Sequence, residues 1–292
     1  MANLLNVIIN ATTISALYAL VAIGFTLIFG VGGVLNFAHG ALITVGAFGT
    51  YIASNQGLPV VGVVHPAVGM LFGTAIAAAL GGLMYKGAIQ YIEDQPVTLS
   101  ILTFVFGFAL AHAFRIFVSS GTVTVGQVIS GRTNILGQDT QNISLVIFVL
   151  SWAIIISVFY FVNETKTGQA ILATSMTKKG AALVGVKSKQ VNLYVWVMAA
   201  AFAGLAGTLL VMKQGGSWNM GTSPLILAFS IVILGGLGSI RGSVVGAYVI
   251  GFMETFTTSF ISTKLTGLAS LVLLIAFLLA KPEGLFGREA AE

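Results

Sequence analysis

Few side chains in this sequence are equipped for chemistry, and most of those stand inside apolar segments. The stretch GVLNFAHGALITVGAFG, Gly33 to Gly49, carries an amide and an imidazole, Asn36 and His39. They are three residues apart and share one helix face, with Gly40 one turn beyond Asn36. An amide left unpaired in hydrocarbon costs several kcal/mol, so the pair must meet protein, water or a passing solute. Two readings follow. In one, Asn36 caps a helix start by satisfying backbone groups as the chain turns. In the other, the pair stands on a pathway or gate, as intramembrane polar residues often do. Glu254 and Arg115 pose the same question in two other apolar runs. They are candidates to pair across a bundle; alternatively Arg115 reaches toward headgroups and Glu254 faces water.

Catalysis has little to stand on. His39, His65 and His112 are scattered, HExxH is absent, and no Ser/His/Asp set follows from spacing. With no cysteine there is neither a disulfide framework nor a thiolate metal site. No catalytic residue and no metal ligand are expected. The nearest approach to a phosphate-binding loop is GAALVGVKS, Gly180 to Ser188, with Val186 intervening between Gly185 and Lys187. That loop needs glycine directly before lysine so that successive N–H groups cradle phosphate, and a strand should precede it. No cofactor is expected on this chain; if ATP drives it, ATP and magnesium bind elsewhere.

The elements that must position these groups are set by hydropathy. Of 292 residues, 57% are hydrophobic and 7% charged, with a mean hydropathy of +1.01. Soluble domains carry about 25% charged residues. Apolar runs long enough to cross about 30 Å of hydrocarbon recur along the chain. The expected fold is all-α, a polytopic transmembrane helical bundle of about eight or nine spans with short broken helices, forming one domain over residues 1–292. The nine candidate spans are Val7–Phe29, Val34–Ser54, Val61–Met84, Val97–Val118 and Ile143–Val162, then Val191–Met212, Thr222–Gly238, Ser243–Phe260 and Thr266–Ala280. The seventh and eighth are short, and one re-entrant element is the alternative there. The start, MANLLNVIIN, lacks a basic region ahead of its apolar run and reads as a retained helix.

Lysine and arginine stay on the cytoplasmic side. With the loop after the fifth span inside, Lys86, Lys166, Lys178, Lys179, Lys187, Lys189, Arg241, Lys281 and Arg288 are inside. Only Arg132, Lys213 and Lys264 are then outside. This places the N-terminus outside and the C-terminus in the cytoplasm of a cell whose inner or plasma membrane holds the chain. The net charge of +5 is thus a topology signal, and with no basic stripe interleaved with aromatics, nucleic acid is not an expected partner.

The 36 glycines cluster in the spans, where small residues let helices approach closely. A faint echo links GGVLNFAHGALITVGAF with GGLGSIRGSVVGAYVIG, each a glycine pair, a polar break and a glycine-rich helix. The cytoplasmic loop 163–190 contains a short helical stretch, QAILATSMTKKGAALVG. Ala181, Ala182 and Gly185 with Leu183 and Val184 make a compact apolar knob suited to a groove on another protein. The alternative is an amphipathic helix lying on lipid.

Three stretches carry a resemblance. They are YALVAIGFTLIFGVGGVLNFAHGALITVGAF, GQAILATSMTKKGAALVGVKSKQVNLYVWVMAAAFAGLAG, and AFSIVILGGLGSIRGSVVGAYVIG followed by KPEGLFGR. In motif, order and spacing, over almost the whole chain, the sequence resembles the permease subunits of branched-chain amino acid ABC importers, of the LivH type. The resemblance implies that Asn36, Phe37, Ala38, His39 and Gly40 form the N-terminal signature. Gly235, Gly236, Gly238, Ser239 and Gly242 form the C-terminal one. Lys179, Gly180, Ala181, Ala182 and Gly185, with Lys178 beside them, become the element that docks on an ATPase. Lys179 stands where many ABC permeases have glutamate, and Arg241 where many relatives have proline.

The resemblance further implies a second homologous permease subunit, two ABC ATPase subunits and an extracytoplasmic solute-binding protein as partners, beside the lipid bilayer. Branched-chain or related hydrophobic or neutral amino acids are the implied solute, with urea, short amides and other amino acids as alternatives within the family. The expected pathway residues are Asn36, His39, Gly40, Gly235, Gly236, Gly238 and Glu254. A stand-alone channel or secondary carrier for a small neutral solute is the rival from another class, and an intramembrane enzyme is disfavoured by the missing acid/base set.

Overall fold

The computed structural model describes residues 4–59, 61–135, 137–281 and 283–286. Helix α1, Leu4–Gly32, runs 29 residues and is ended by Gly33 at φ +66°. At 1.5 Å per residue it is about 43 Å long, ample for a bilayer. Residues 33–38 turn the chain back, and α2, His39–Tyr51, follows, continuing as a π-helix, Ile52–Gln56, up to Gly57. Helix α3, Pro66–Gly87, starts with proline at its first turn and the His65 ring accepting from the Ala67 N–H at 3.2 Å. Helix α4, Pro96–Phe117, also opens on proline.

Between α4 and the next helix the chain forms an antiparallel hairpin, β1 Arg132–Ile135 with β2 Gln138–Gln141, Arg132 opposite Gln141. Helix α5, Asn142–Glu164, leads to two short helices, α6 Lys166–Met176 and α7 Lys178–Leu183. Helix α8, Ser188–Gln214, returns through the bundle. The last three are α9 Thr222–Gly235, α10 Ile240–Phe256 with a π-helical extension Thr257–Ile261, and α11 Leu268–Ala280.

The chain is thus a polytopic helical bundle, with one small hairpin as an addition to the all-α expectation. The expected count of eight or nine spans is not matched by length and composition: among the described residues six helical segments are long and apolar enough to cross a membrane, Leu4–Gly32, Pro66–Tyr91, Pro96–Phe117, Asn142–Glu164, Ser188–Gln214 and Ile240–Ile261. The expected spans Val34–Ser54, Thr222–Gly238 and Thr266–Ala280 are shorter helices, and glycine conformation explains it. The first loses residues 33–38 to the turn at Gly33; the second stops at Gly236, φ +99°; the third begins only after Gly267, φ +80°. Residues 1–3 of the retained-helix reading and Arg288 of the charge count lie outside the described residues.

The core is a glycine-mediated knot of α2, α3 and α8. A Cβ on Gly46 would fall into the backbone of Gly204, one on Gly207 into Ile43, and one on Gly49 within 2.9 Å of Gly73. Helix α1 closes the same core against α8 and α10, with Thr26 and Ser243 sharing a 2.5 Å hydrogen bond. Helices α4, α5 and α11 lie outside and expose Phe117, Tyr160 and Leu279, side chains that suit lipid or a partner helix. The two echoing segments are alike in form: each breaks at glycine, restarts as α2 or α10, and ends in a five-residue π-helix.

Candidate functional site

The start of α2 answers for its two polar residues. Asn36 Oδ1 accepts from the Ala38 N–H at 3.0 Å, a side-chain turn that starts the helix, and the residue is buried. His39 is wholly buried; its Nε2 donates to the Val21 carbonyl at 3.1 Å, and its ring meets Phe25 edge-on at 5.8 Å. Gly24 makes room for that ring, since a Cβ there would stand 3.0 Å from His39 Cε1. Asn36 Nδ2 and His39 Nδ1 have no hydrogen-bond partner among the described residues. These two side chains build the helix start, and the cavity next to it is lined instead by their neighbours Phe37 and Gly40.

That cavity has a volume of about 520 Å³. Its base is Phe25, Phe37, Gly40 and Gly107, its walls Phe104, Phe108 and Phe229. Polar groups gather at one end: His112, Trp218, Asn219 and Thr222. One face of α4 supplies a side, with Phe104, Gly107, Phe108, Ala111 and His112 at three- and four-residue spacing, and Arg115 continues that face. The rings form a ladder there, Phe108 to His112 at 4.0 Å and His112 to Trp218 at 4.9 Å. His112 Nδ1 donates to the Phe108 carbonyl at 3.0 Å, and Arg115 Cζ lies 5.1 Å above the Trp218 ring. A glycine floor with aromatic walls and a polar end accepts a small solute with an apolar body. A larger groove, about 720 Å³, runs over α3 and α8 past Leu83, Leu193 and Val197. It shares no residue with NFAHG or LGGLGSIRG.

Gly235, Gly236 and Gly238 do not line the 520 Å³ cavity. Gly235 packs backbone to backbone on Gly242, and Gly236 and Gly238 take positive φ in the turn between α9 and α10. Ser239 Oγ accepts from the Gly242 N–H at 3.0 Å and caps α10, while Gly235 O accepts from Phe286 N at 3.0 Å. Glu254 is also elsewhere. It is buried, accepting from the Gly267 N–H at 2.6 Å and the Ser270 hydroxyl at 2.7 Å, at the start of α11. A carboxylate at a helix N-terminus meets both the free N–H groups and the dipole. Arg115 and Glu254 therefore do not pair, because each is engaged at a different place: one over Trp218, the other on α11.

The loop 163–190 is built differently from one continuous helix. It breaks at Thr177, whose Oγ1 accepts from the Gly180 N–H at 3.4 Å and caps α7. Ala181 is buried, whereas Leu183 and Val184 are 89% and 76% exposed at the tip, next to Gly185 at φ +84°. Lys179 and Ala182 are exposed beside them. Lys178 reaches Asp94 at 3.8 Å, the one ion pair among the described residues, and so ties α7 to the α3–α4 turn. The adjacent Glu93 accepts from the Tyr85 hydroxyl of α3 and from Asn192 Nδ2 of α8 at 2.8 Å. Through that one turn the loop is linked to α3 and α8.

The sequence reading missed the aromatic lining Phe104, Phe108, His112 and Trp218. The signal was available in α4, where Phe104, Phe108, His112 and Arg115 recur at helical spacing, but not for Trp218, which lies between α8 and α9.

Residues 7–280 match the family model described as branched-chain amino acid transport system / permease component. The chain is similar to the high-affinity branched-chain amino acid transport system permease protein LivH of Escherichia coli K12, 27% identical over 294 residues, covering 97% of this chain and 95% of the relative. It is 28% identical over 298 residues to the corresponding protein BraD of Pseudomonas aeruginosa, with 98% and 96% covered. Among solved structures it resembles PsaBC from Streptococcus pneumoniae in complex with Fab, with a TM-score of 0.52 and 16% identity, covering 95% of this chain and 92% of that one. That likeness concerns the fold.

Proposed function

This chain belongs to the branched-chain amino acid transport system permease component family, and from that premise we propose that it is the membrane subunit of an ATP-driven importer. In this reading it passes branched-chain amino acids, delivered by an extracytoplasmic binding protein, across the inner or plasma membrane, with its N-terminus outside and its C-terminus inside. A second homologous permease covers the open side of the 520 Å³ cavity, so that the solute moves between the two chains. One of two ATPase subunits docks on residues 178–185, the other on the second permease, and the pair supplies the ATP and magnesium chemistry.

The observation that carries the reading is the exposed Leu183–Val184 tip, held on a capped loop that is linked through the Glu93–Asp94 turn to α3 and α8. An apolar tip held in water is stabilised by a partner groove. A partner moving that tip pulls on Asp94 and Glu93 together, hence on α3 and α8, which pack against the cavity-lining α2. Glycine-to-glycine contacts let α2, α3 and α8 move as one body, because backbones that touch cannot slide independently. Asn36 and His39 hold the inner end of that body in place, and Gly40 keeps the floor of the path flat. Gly235, Gly236, Gly238 and Glu254 support α10 and α11 beside it.

Leucine uptake into proteoliposomes, with and without the co-purified ATPases, tests the reading. ATP-dependent uptake only when both are present supports it. Flux through this chain alone, indifferent to ATP, contradicts it and favours a channel; uptake of urea or short amides in place of leucine moves the solute assignment within the family.

A further inference from the structure

We infer that Arg115 is the carboxylate-reading residue of the cavity, so that the site selects solutes carrying a carboxylate at one end of an aliphatic body over the corresponding amides. The inference rests on the reading that the solute passes through this cavity, and adds which end of it is recognised and by what.

Three observations carry it. First, Arg115 continues the α4 face that lines the cavity, one turn beyond Ala111 and His112, and lies just outside the lining against Trp218, which belongs to it. Second, the guanidinium is placed over the Trp218 ring at 5.1 Å while no carboxylate of the described residues pairs with it; the ion pair among those residues is Lys178 with Asp94, and Glu254 is engaged on α11. An arginine resting on an aromatic face keeps its N–H fork free at the edge, in the geometry that grips a carboxylate through two parallel bonds. Third, the lining itself holds rings, glycines, small aliphatic side chains and the neutral groups Thr44, Asn219 and Thr222, with no lysine or arginine, so an aliphatic side chain fits against Phe104 and Phe108 while its charged end lies toward Arg115 just beyond. Urea or a short amide makes neither contact pattern: it has no charge for the guanidinium and no body for the aromatic walls.

The test uses the full-length chain with its partner subunits in lipid nanodiscs, without binding protein. Binding of radiolabelled L-leucine is measured by scintillation proximity, with leucinamide as the competitor, since the two differ only in the carboxylate. Wild type is expected to prefer leucine by tenfold or more, about the worth of one charge-assisted pair. Arg115→Gln is expected to bring that ratio close to one, and Arg115→Lys to leave it intermediate. Phe108→Ala should weaken both probes alike while keeping the ratio, because it removes wall and not charge. Arg115→Gln with the leucine preference intact overturns the inference while leaving the pathway standing. A wild type that binds neither probe, together with a Phe104→Trp variant that fills the cavity yet transports normally, overturns both.

Discussion

Replacing Gly46 with alanine adds a single methyl group at the centre of the α2–α8 contact, and its cost follows from what that methyl meets. The added Cβ would lie among the carbonyl oxygen, Cα and carbonyl carbon of Gly204, inside their van der Waals envelope. Carbon contacts are comfortable at about 3.5–4.0 Å, so the two helices must part by roughly 1 Å or more. A backbone neighbour cannot rotate away as a side chain would. The separation also opens the α2–α3 contact, because Gly73 faces Gly46 and Gly49 on the same knot. Gaps of that size forfeit a quarter to a half of each contact's attraction, and overpacking of a well-packed core typically costs about 1–3 kcal/mol. Gly46→Ala is placed at the upper end of that range. Gly87→Ala is the control: nothing lies within 4 Å of a Cβ there, so the variant should fall within about 1 kcal/mol of wild type. Thermal unfolding of both variants in detergent, followed by fluorescence-detected gel filtration, measures the difference. A Gly46→Ala protein as stable and as active as Gly87→Ala would refute the claim that direct backbone contact holds α2, α3 and α8 together.

Other outcomes follow from single contacts. Glu254→Ala removes the acceptor for the Gly267 N–H and the Ser270 hydroxyl, so the start of α11 should exchange its amide hydrogens at least tenfold faster, with Glu254→Gln intermediate; hydrogen exchange by mass spectrometry reads both. Glu93→Ala leaves Tyr85 and Asn192 unpaired and should lower stability by about 2–4 kcal/mol, whereas removing the exposed Lys178–Asp94 pair by Asp94→Asn should cost less than about 1 kcal/mol; thermal unfolding of the two variants separates them. His39→Phe keeps the ring but loses the bond to Val21, and should cost about 1–2 kcal/mol while leaving leucine uptake within about twofold once expression is matched.

Much of the architecture was legible in the sequence because lipid imposes one strong rule: long apolar runs must become helices. The six long helices fall where hydropathy puts them, while Asn36 shapes the turn before α2 through the Ala38 N–H and does not cap the helix, whose N-cap is Ala38. The short helices were harder to foresee. Hydropathy does not register Gly33, Gly236 or Gly267 turning to positive φ, and those three residues shorten α2, α9 and α11. The Arg115–Glu254 pairing failed for a related reason: residue count along a span gives depth but not the direction around the helix axis, and Glu254 turns toward the α11 backbone. The cavity was hidden by its own chemistry, since Phe104 and Phe108 look the same in sequence whether they face lipid or a solute path. Only their spacing with His112 and Arg115 along α4 separates the two cases. The loop tip was legible as a knob, but its attachment through Asp94 and Glu93 joins residues far apart in the chain and needed the fold.

The proposed function has the bundle moved from outside through the loop 163–190, and the direct measurement of that is retention of the ATPases by a Leu183→Asp, Val184→Asp double variant. Both side chains stand clear of the fold, so the protein should reach the membrane and unfold at the wild-type temperature. The ATPases should be lost on purification, and leucine uptake should fall to background. ATPases that stay bound, with uptake undiminished, would contradict it.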